Sequence, residues 1–318
     1  MSRRVAYDQR MEEFAIATHK GFIIYSFDSG KLLYEAQFPG GGALCLSILY
    51  GSNVIAASGD DSREGFSSHS IVLWDRFGHK VIGLFEVKNP VFDLTFRHDG
   101  IIVAHGDSIS FHDCYDFSVK FSVKNPSVNQ FCFAAVPTST IYYTAFLSEK
   151  GNNLSIVDYH DPSYVLGSLP IPISKINYFA FDRKGELLAI VIDEGKTIQL
   201  WSVQELQLVA TYKRGMRKCD VTGLAFDGLS SFFIMTTLRG TMHVFSIPTQ
   251  SERLTIDPKD PQRSKFSYDL TKGIHYYCQF DIAGYLITAV ASNGQILKIR
   301  IDIEKGEVVL ISDKKLDI

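Results

Sequence analysis

Lys213, Arg214, Arg217 and Lys218 place four cations within six residues of a chain whose formal net charge is −3. On a mildly acidic body such a turn concentrates positive potential, which suits a small polyanion. Thr237, Thr241 and His243 follow further along the chain. A guanidinium fork, two hydroxyls and an imidazole make a phosphate-binding set, because Arg gives paired hydrogen bonds and the hydroxyls fill the remaining acceptor sites. Gly215, directly after Arg214, lets the backbone approach a ligand closely. The same residues also have a plainer reading, in which Thr241 and His243 cap a sheet edge and the four cations form a solvated turn.

Whichever reading holds, strands must aim these side chains, and the chain is built to supply them. One unit recurs: an apolar strand ending in an aromatic residue, a polar turn, a second apolar strand, a Gly turn and a third alternating strand. The clearest copies run from Ala180 to Trp201 and from Leu224 to Phe245. Tyr7-Asp8, Phe96, Phe181-Asp182, Phe226-Asp227 and Phe280-Asp281 mark equivalent points in five copies, and fainter copies centre on Leu49 and Ala135. The interval from Phe181 to Phe226 matches the ~40 to 45 residues of a four-stranded propeller blade. Seven such blades account for residues 1–318 as one all-β domain, a seven-bladed WD40-like β-propeller of antiparallel blades. Trp74-Asp75 and Trp201-Ser202 stand where the WD dipeptide ends a third strand.

The Phe226 to Phe280 interval is longer, and its excess lies in Pro248 to Lys265, a polar run holding Pro248, Pro258 and Pro261. This reads as a long loop insertion in blade six. In the same frame Gln207 to Tyr212 is the outer strand of blade five, Lys213-Arg214-Gly215 begins the crossing to blade six, and Thr237 ends the strand before the one that carries Thr241 and His243. Residues two apart on a strand share a face. Arg214 is therefore expected to meet Thr237, Thr241 and His243 in a cleft between two blades at the rim.

Bulk composition bounds the function. Lys and Arg number 32 against 35 Asp and Glu, which gives no support to wrapping around nucleic acid. Five cysteines, widely spaced, suggest neither a disulfide framework nor a zinc site, so the compartment is expected to be reducing. The start Met1-Ser2-Arg3-Arg4-Val5 lacks the apolar core of a signal peptide, and no window reaches the ~18 to 20 apolar residues of a membrane span. No cofactor, metal or catalytic constellation is expected. His98, Asp99, His105, Asp107, His112, Asp113 and Cys114 are scattered by strand alternation, and Gly40-Gly41-Gly42 precedes a strand rather than a helix. Asn153-Leu154-Ser155 fits the glycosylation pattern by chance, and Gly59 to Ser68, with Asp60, Asp61, Arg63 and Glu64, is a solvated loop of blade two.

In Tyr212-Lys213-Arg214-Gly215-Met216-Arg217-Lys218-Cys219 and in Gly240-Thr241-Met242-His243-Val244-Phe245-Ser246-Ile247, the chain resembles the PROPPIN family, seven-bladed propellers that bind polyphosphoinositides in autophagy and endosomal traffic. The family signature is Phe or Leu-Arg-Arg-Gly between blades five and six. The resemblance implies that Arg214, Gly215, Thr237, Thr241 and His243 form the second of two headgroup sites, with Thr237 standing where the family usually has Ser. It also implies a degraded first site. There the family's first motif Arg is Lys213, its Ser-x-Ser-Glu-Lys-Gly-Thr run falls on Ile190 to Lys196, its following Arg on Gln199, and its His on Pro170 to Ile173. Gly195, Lys196 and Lys213 are what remains of that site.

The family also inserts a hydrophobic loop of blade six into the bilayer, whereas Pro248 to Lys265 has only Leu254 and Ile256 as large aliphatics. The resulting expectation is a cytoplasmic monomer that binds phosphatidylinositol 3-phosphate (PI3P), with PI(3,5)P2 as second candidate, on autophagosomal precursor or endosomal and vacuolar membranes. Its protein partners would be autophagy proteins of the lipid-transfer or conjugation machinery. The alternative is a WD-repeat scaffold for proteins alone, with a vestigial lipid site.

Overall fold

A computed structural model describes residues 5–38, 40–49, 51–62, 66–124, 133–137, 141–148, 153–172, 176–281 and 283–316. Met1 to Arg4, Arg63, Glu64 and Ile173, named above, lie outside the described residues, as does Cys132, one of the five cysteines.

The fold is a seven-bladed β-propeller. Blade one holds β1 to β4 (Val5–Tyr7, Glu13–Thr18, Gly21–Ser26, Leu32–Gln37), and blade two β5 to β8 (Ala43–Ile48, Val54–Gly59, Ser70–Asp75, Lys80–Glu86). Blade three holds β9 to β12 (Val91–Arg97, Gly100–His105, Ser108–Asp113, Val119–Lys124), and blade four β13 to β16 (Phe133–Ala135, Tyr143–Ser148, Asn153–Asp158, Asp161–Leu169). Blade five holds β17 to β20 (Ile176–Phe181, Leu187–Ile192, Thr197–Ser202, Leu208–Lys213), and blade six β21 to β23 (Val221–Phe226, Phe232–Thr237, Thr241–Ser246) with β25 (Phe266–Asp269). Blade seven holds β26 to β29 (Tyr276–Phe280, Leu286–Ala291, Gln295–Asp302, Glu307–Lys315). Contacts group the chain into two compact units, one of Met1–Phe133, Leu147–Gly151 and Tyr159–Tyr164, the other of Ala134–Phe146, Asn152–Asp158 and Val165–Ile318. Every residue of the candidate site belongs to the second unit.

The recurring Asp of the sequence repeat has a structural cause. Asp8 Oδ1 accepts the backbone N–H groups of Glu12 and Glu13 (2.8 and 3.0 Å), and Asp182 Oδ1 accepts those of Glu186 and Leu187 (2.9 and 3.0 Å). Asp227 serves Ser231 and Phe232, and Asp281 serves Tyr285 and Leu286, in the same way. Each carboxylate thus satisfies two amides that the hairpin leaves unpaired, which fixes the turn between the first two strands of its blade. Burial pushes the Asp182 and Asp227 carboxyls up, and these backbone bonds partly offset it.

Blade packing follows the two faces of each strand. All six residues of β18 are buried, as expected for a strand covered on both sides. Outer strands such as β8 and β12 are largely exposed. In the third blade, His105 and His112 both bond to Ser110 Oγ (3.1 and 2.7 Å). Among the described residues, no group of three or more His, Cys, Asp or Glu could hold a metal ion.

The reading of residues 248–265 as a plain loop needs correction. Thr249 caps a four-residue helix, α1 (Gln250–Arg253), in a capping box: Glu252 N donates to Thr249 Oγ1 and Thr249 N to Glu252 Oε2. Pro261–Arg263 then forms β24, which pairs in parallel with β20 through Thr211–Pro261, Tyr212–Gln262 and Lys213–Arg263. Blade five therefore has five strands, the last lent by blade six. Leaving β20 as a bare edge would expose a row of unpaired backbone groups, and this short strap covers it.

Candidate functional site at the junction of blades five and six

The two faces of the blade-six hairpin meet different neighbours. In β22 and β23, Phe233, Met235 and Phe245 pack with Tyr212 and Leu200 of blade five, whereas Ile234, Met242 and Val244 pack towards Phe280 and Leu297 of blade seven. Alternation then puts Thr237, Thr241 and His243 on the blade-five face. The register confirms it, with Thr237 opposite Thr241 and Met235 opposite His243. Beneath them lies an aromatic floor. The Phe233 and Phe245 rings stack at 4.8 Å, Tyr212 meets both edge-on, and His243 lies 6.1 Å from Phe245. Tyr212 Oη donates to the Ser246 carbonyl at 2.9 Å, tying β20 to β23.

Arg214 is held by main-chain oxygens rather than by an acid. Its backbone N–H donates to Lys196 O (2.9 Å), its Nε to Gly195 O (3.0 Å) and its Nη2 to Arg217 O. No described carboxylate pairs with it. Of its five N–H donors two are committed, which leaves three for a ligand on a guanidinium already fixed in place.

His243 is half-buried, and its Nδ1 lies 3.4 Å from Ser264 Oγ. Burial, helped by the charge of Arg214 and opposed by Asp269, lowers its pKa to about 4, so the ring is neutral at pH 7. That Arg214 acts on the imidazole places the two in one electrostatic neighbourhood. Arg214 makes no hydrogen bond to Thr237, Thr241 or His243, however, so the expected cluster is not a bonded one, and the link the structure gives is the electrostatic one between Arg214 and His243. Thr237 is almost wholly buried, with its hydroxyl donating to the Thr241 carbonyl at 3.4 Å. It steadies the hairpin below Thr241. Gly215, where a Cβ would meet nothing within 4 Å, lines the cavity beside Lys213 on the other face instead of joining His243.

Lys213 closes β20 instead of opening the crossing, and its side chain falls on the other face of blade five, in register with Thr197. There, with Asn177, Asp193, Glu194 and Lys196, it lines an open cavity of about 590 Å3. Lys196 and Lys218 both pair with Glu194, and Lys218 beside it holds the Glu194 carboxyl below the usual range. Two carboxylates and two engaged lysines make poor company for a phosphate, and Ile190 and Ile192 are buried in the core. Sequence reasoning missed one cation on this face, Arg263 of β24, which stands next to Lys213. It also missed Ser264.

Gly195 belongs to the architecture that holds Arg214. It closes a left-handed run, with φ of 54° at Asp193, 58° at Glu194 and 79° at Gly195, and a Cβ on it would lie 2.4 Å from the Cys219 carbonyl. Replacing Gly195 with alanine should cost roughly 1 to 3 kcal/mol of stability in urea unfolding. It should also displace the carbonyl that anchors Arg214, so that any anion affinity falls together with stability.

No family model matches the chain. Among curated proteins it is 22% identical over 280 residues to SVP1-like protein 2 of Schizosaccharomyces pombe, covering 84% of this chain and 74% of that protein. SVP1-like protein 2 of Eremothecium gossypii is 24% identical over 281 residues, with 76% and 69% covered. Among solved structures, Kluyveromyces lactis Hsv2p superposes with a TM-score of 0.80 at 16% identity over 99% of each chain. A complex of KlAtg21 with the coiled-coil of AgAtg16 gives 0.82 at 16% identity over 100% of each chain. The chain is thus similar to SVP1-like proteins along most of its length, and it shares the seven-bladed propeller fold of Hsv2 and Atg21 from end to end.

Proposed function

We propose that the crevice between Arg214 and the β23 face binds the phosphorylated headgroup of a 3-phosphoinositide, PI3P first and PI(3,5)P2 second, and so brings the propeller to autophagy-related or endosomal membranes. The observation that carries this reading is the state of Arg214: a guanidinium anchored by two carbonyls, free of any described carboxylate, and close enough to a neutral imidazole, His243, to act on its charge. Such a group is pre-organised for phosphate oxygens, to which charge-assisted bonds are worth about 1.5 to 3 kcal/mol each. The opposite face, with Glu194 between its lysines, supplies little further attraction.

One such site gives weak attachment, because stable membrane association generally takes two signals. A protein partner is the natural source of the second. The Atg21 propeller in complex with an Atg16 coiled-coil supports a partner from the autophagy machinery for this chain as well.

Liposome flotation tests the reading. The wild-type protein should float with vesicles containing PI3P at low salt and stay behind with phosphatidylcholine alone, and Arg214→Ala should lose the difference. A wild-type protein that ignores PI3P would leave the scaffold alternative standing.

A further inference from the structure

His243 can serve an anion in one of its two neutral forms only. With the proton on Nε2 it donates to a phosphate oxygen; with the proton on Nδ1 it presents a lone pair there and repels one. What selects the form is whatever bonds the other ring nitrogen. In this structure that partner is Ser264, whose Oγ lies 3.4 Å from Nδ1.

Ser264 is not a chance loop hydroxyl. The residues on either side of it are pinned to two blades: Arg263 pairs with Lys213 at the end of β24, and Lys265 N donates to Val244 O of β23 at 2.8 Å. A strand pair on one side and a backbone bond on the other fix where its side chain emerges, and that is beside the imidazole.

We infer that Ser264 is a positioning residue of the headgroup site: its hydroxyl donates to His243 Nδ1, holds the ring as the Nε2–H form, and so turns a neutral histidine into a phosphate donor. The inference rests on the headgroup reading of the crevice and assigns the blade-six strap a part in it. The strap fixes the imidazole from behind through Ser264 Oγ, much as a carboxylate orders a metal-bound histidine.

The test has one arm that needs no ligand. Nitrogen-15 shifts of the His243 ring at pH 7 should show the Nε2–H form in the wild type and a mixture of the two forms in Ser264→Ala, with Ser264→Thr restoring the single form. The second arm is titration with soluble inositol 1,3-bisphosphate. Ser264→Ala should bind about fivefold more weakly, the loss expected for one neutral hydrogen bond, and Ser264→Thr should recover most of it. An unchanged melting temperature in both variants rules out a merely structural effect. A wild-type ring protonated on Nδ1, or Ser264→Ala binding with wild-type affinity, overturns the inference while leaving the headgroup reading intact. A wild-type protein with the Nε2–H ring that binds no headgroup overturns that reading, and the binding role of Ser264 with it.

Discussion

Arg214→Lys should lose headgroup binding nearly as completely as Arg214→Ala, by more than about 100-fold in a titration with inositol 1,3-bisphosphate, because two or more charge-assisted bonds are lost together. The substitution keeps the charge, so a site that merely concentrated positive potential would tolerate it. The geometry here does not. The Arg214 side chain has two jobs in this reading, with Nε on Gly195 O and Nη2 on Arg217 O holding it while the remaining donors are left for a ligand. An ammonium offers three donors from a single point and cannot bind both carbonyls and a phosphate on the far side. A lysine that settles on the carbonyls leaves the anion unbound, and one that swings out leaves two carbonyls to water. Binding retained within about tenfold would show that potential alone suffices, which is the behaviour expected of a solvated basic turn.

The same residue marks how far the sequence can be read. Phe181-Asp182 and Phe226-Asp227 disclose the blades because each Asp does a local job, accepting the two amides of its own turn, and local chemistry recurs in sequence. Thr241 and His243 disclose a shared face because strand alternation is local too. The anchoring of Arg214 is harder to see. It depends on a carbonyl nineteen positions back, and of the left-handed run that presents this carbonyl only Gly195 has a suggestive residue type.

The strap shows both cases. Its helix was announced by Thr249 and Glu252, a capping-box spacing that the proline content of the stretch obscures. Its strand was not announced at all: three residues that join β20 in parallel carry too little pattern to betray a partner in another blade. Arg263 and Ser264 therefore become visible only when the chain is folded, even though each ends up beside a residue the sequence had singled out.

Acidification should destabilise the protein in a way that His243→Gln largely removes. The folded-state pKa of His243 is about 4, set first by burial and then by the Arg214 charge, whereas an unfolded histidine titrates near ~6.5. Between those values the unfolded chain takes up a proton that the folded chain refuses, so stability is whole above ~6.5 and declines as pH falls towards about 4. The gap corresponds to at most about 3 kcal/mol, at ~1.36 kcal/mol per unit. His105 and His112 are also lowered by burial and add to the acid sensitivity of both proteins, so the measurement is the difference between wild type and His243→Gln in urea unfolding at pH 7 and pH 5. Parallel pH profiles would mean that the ring is solvated and the crevice open to water. An anion seated against Arg214 reverses the electrostatics of the ring, since it offsets the guanidinium and favours the imidazolium. Inositol 1,3-bisphosphate should therefore recover part of the acid loss in the wild type and none of it in Arg214→Ala, which ties the proton on His243 to the same ligand that the guanidinium holds.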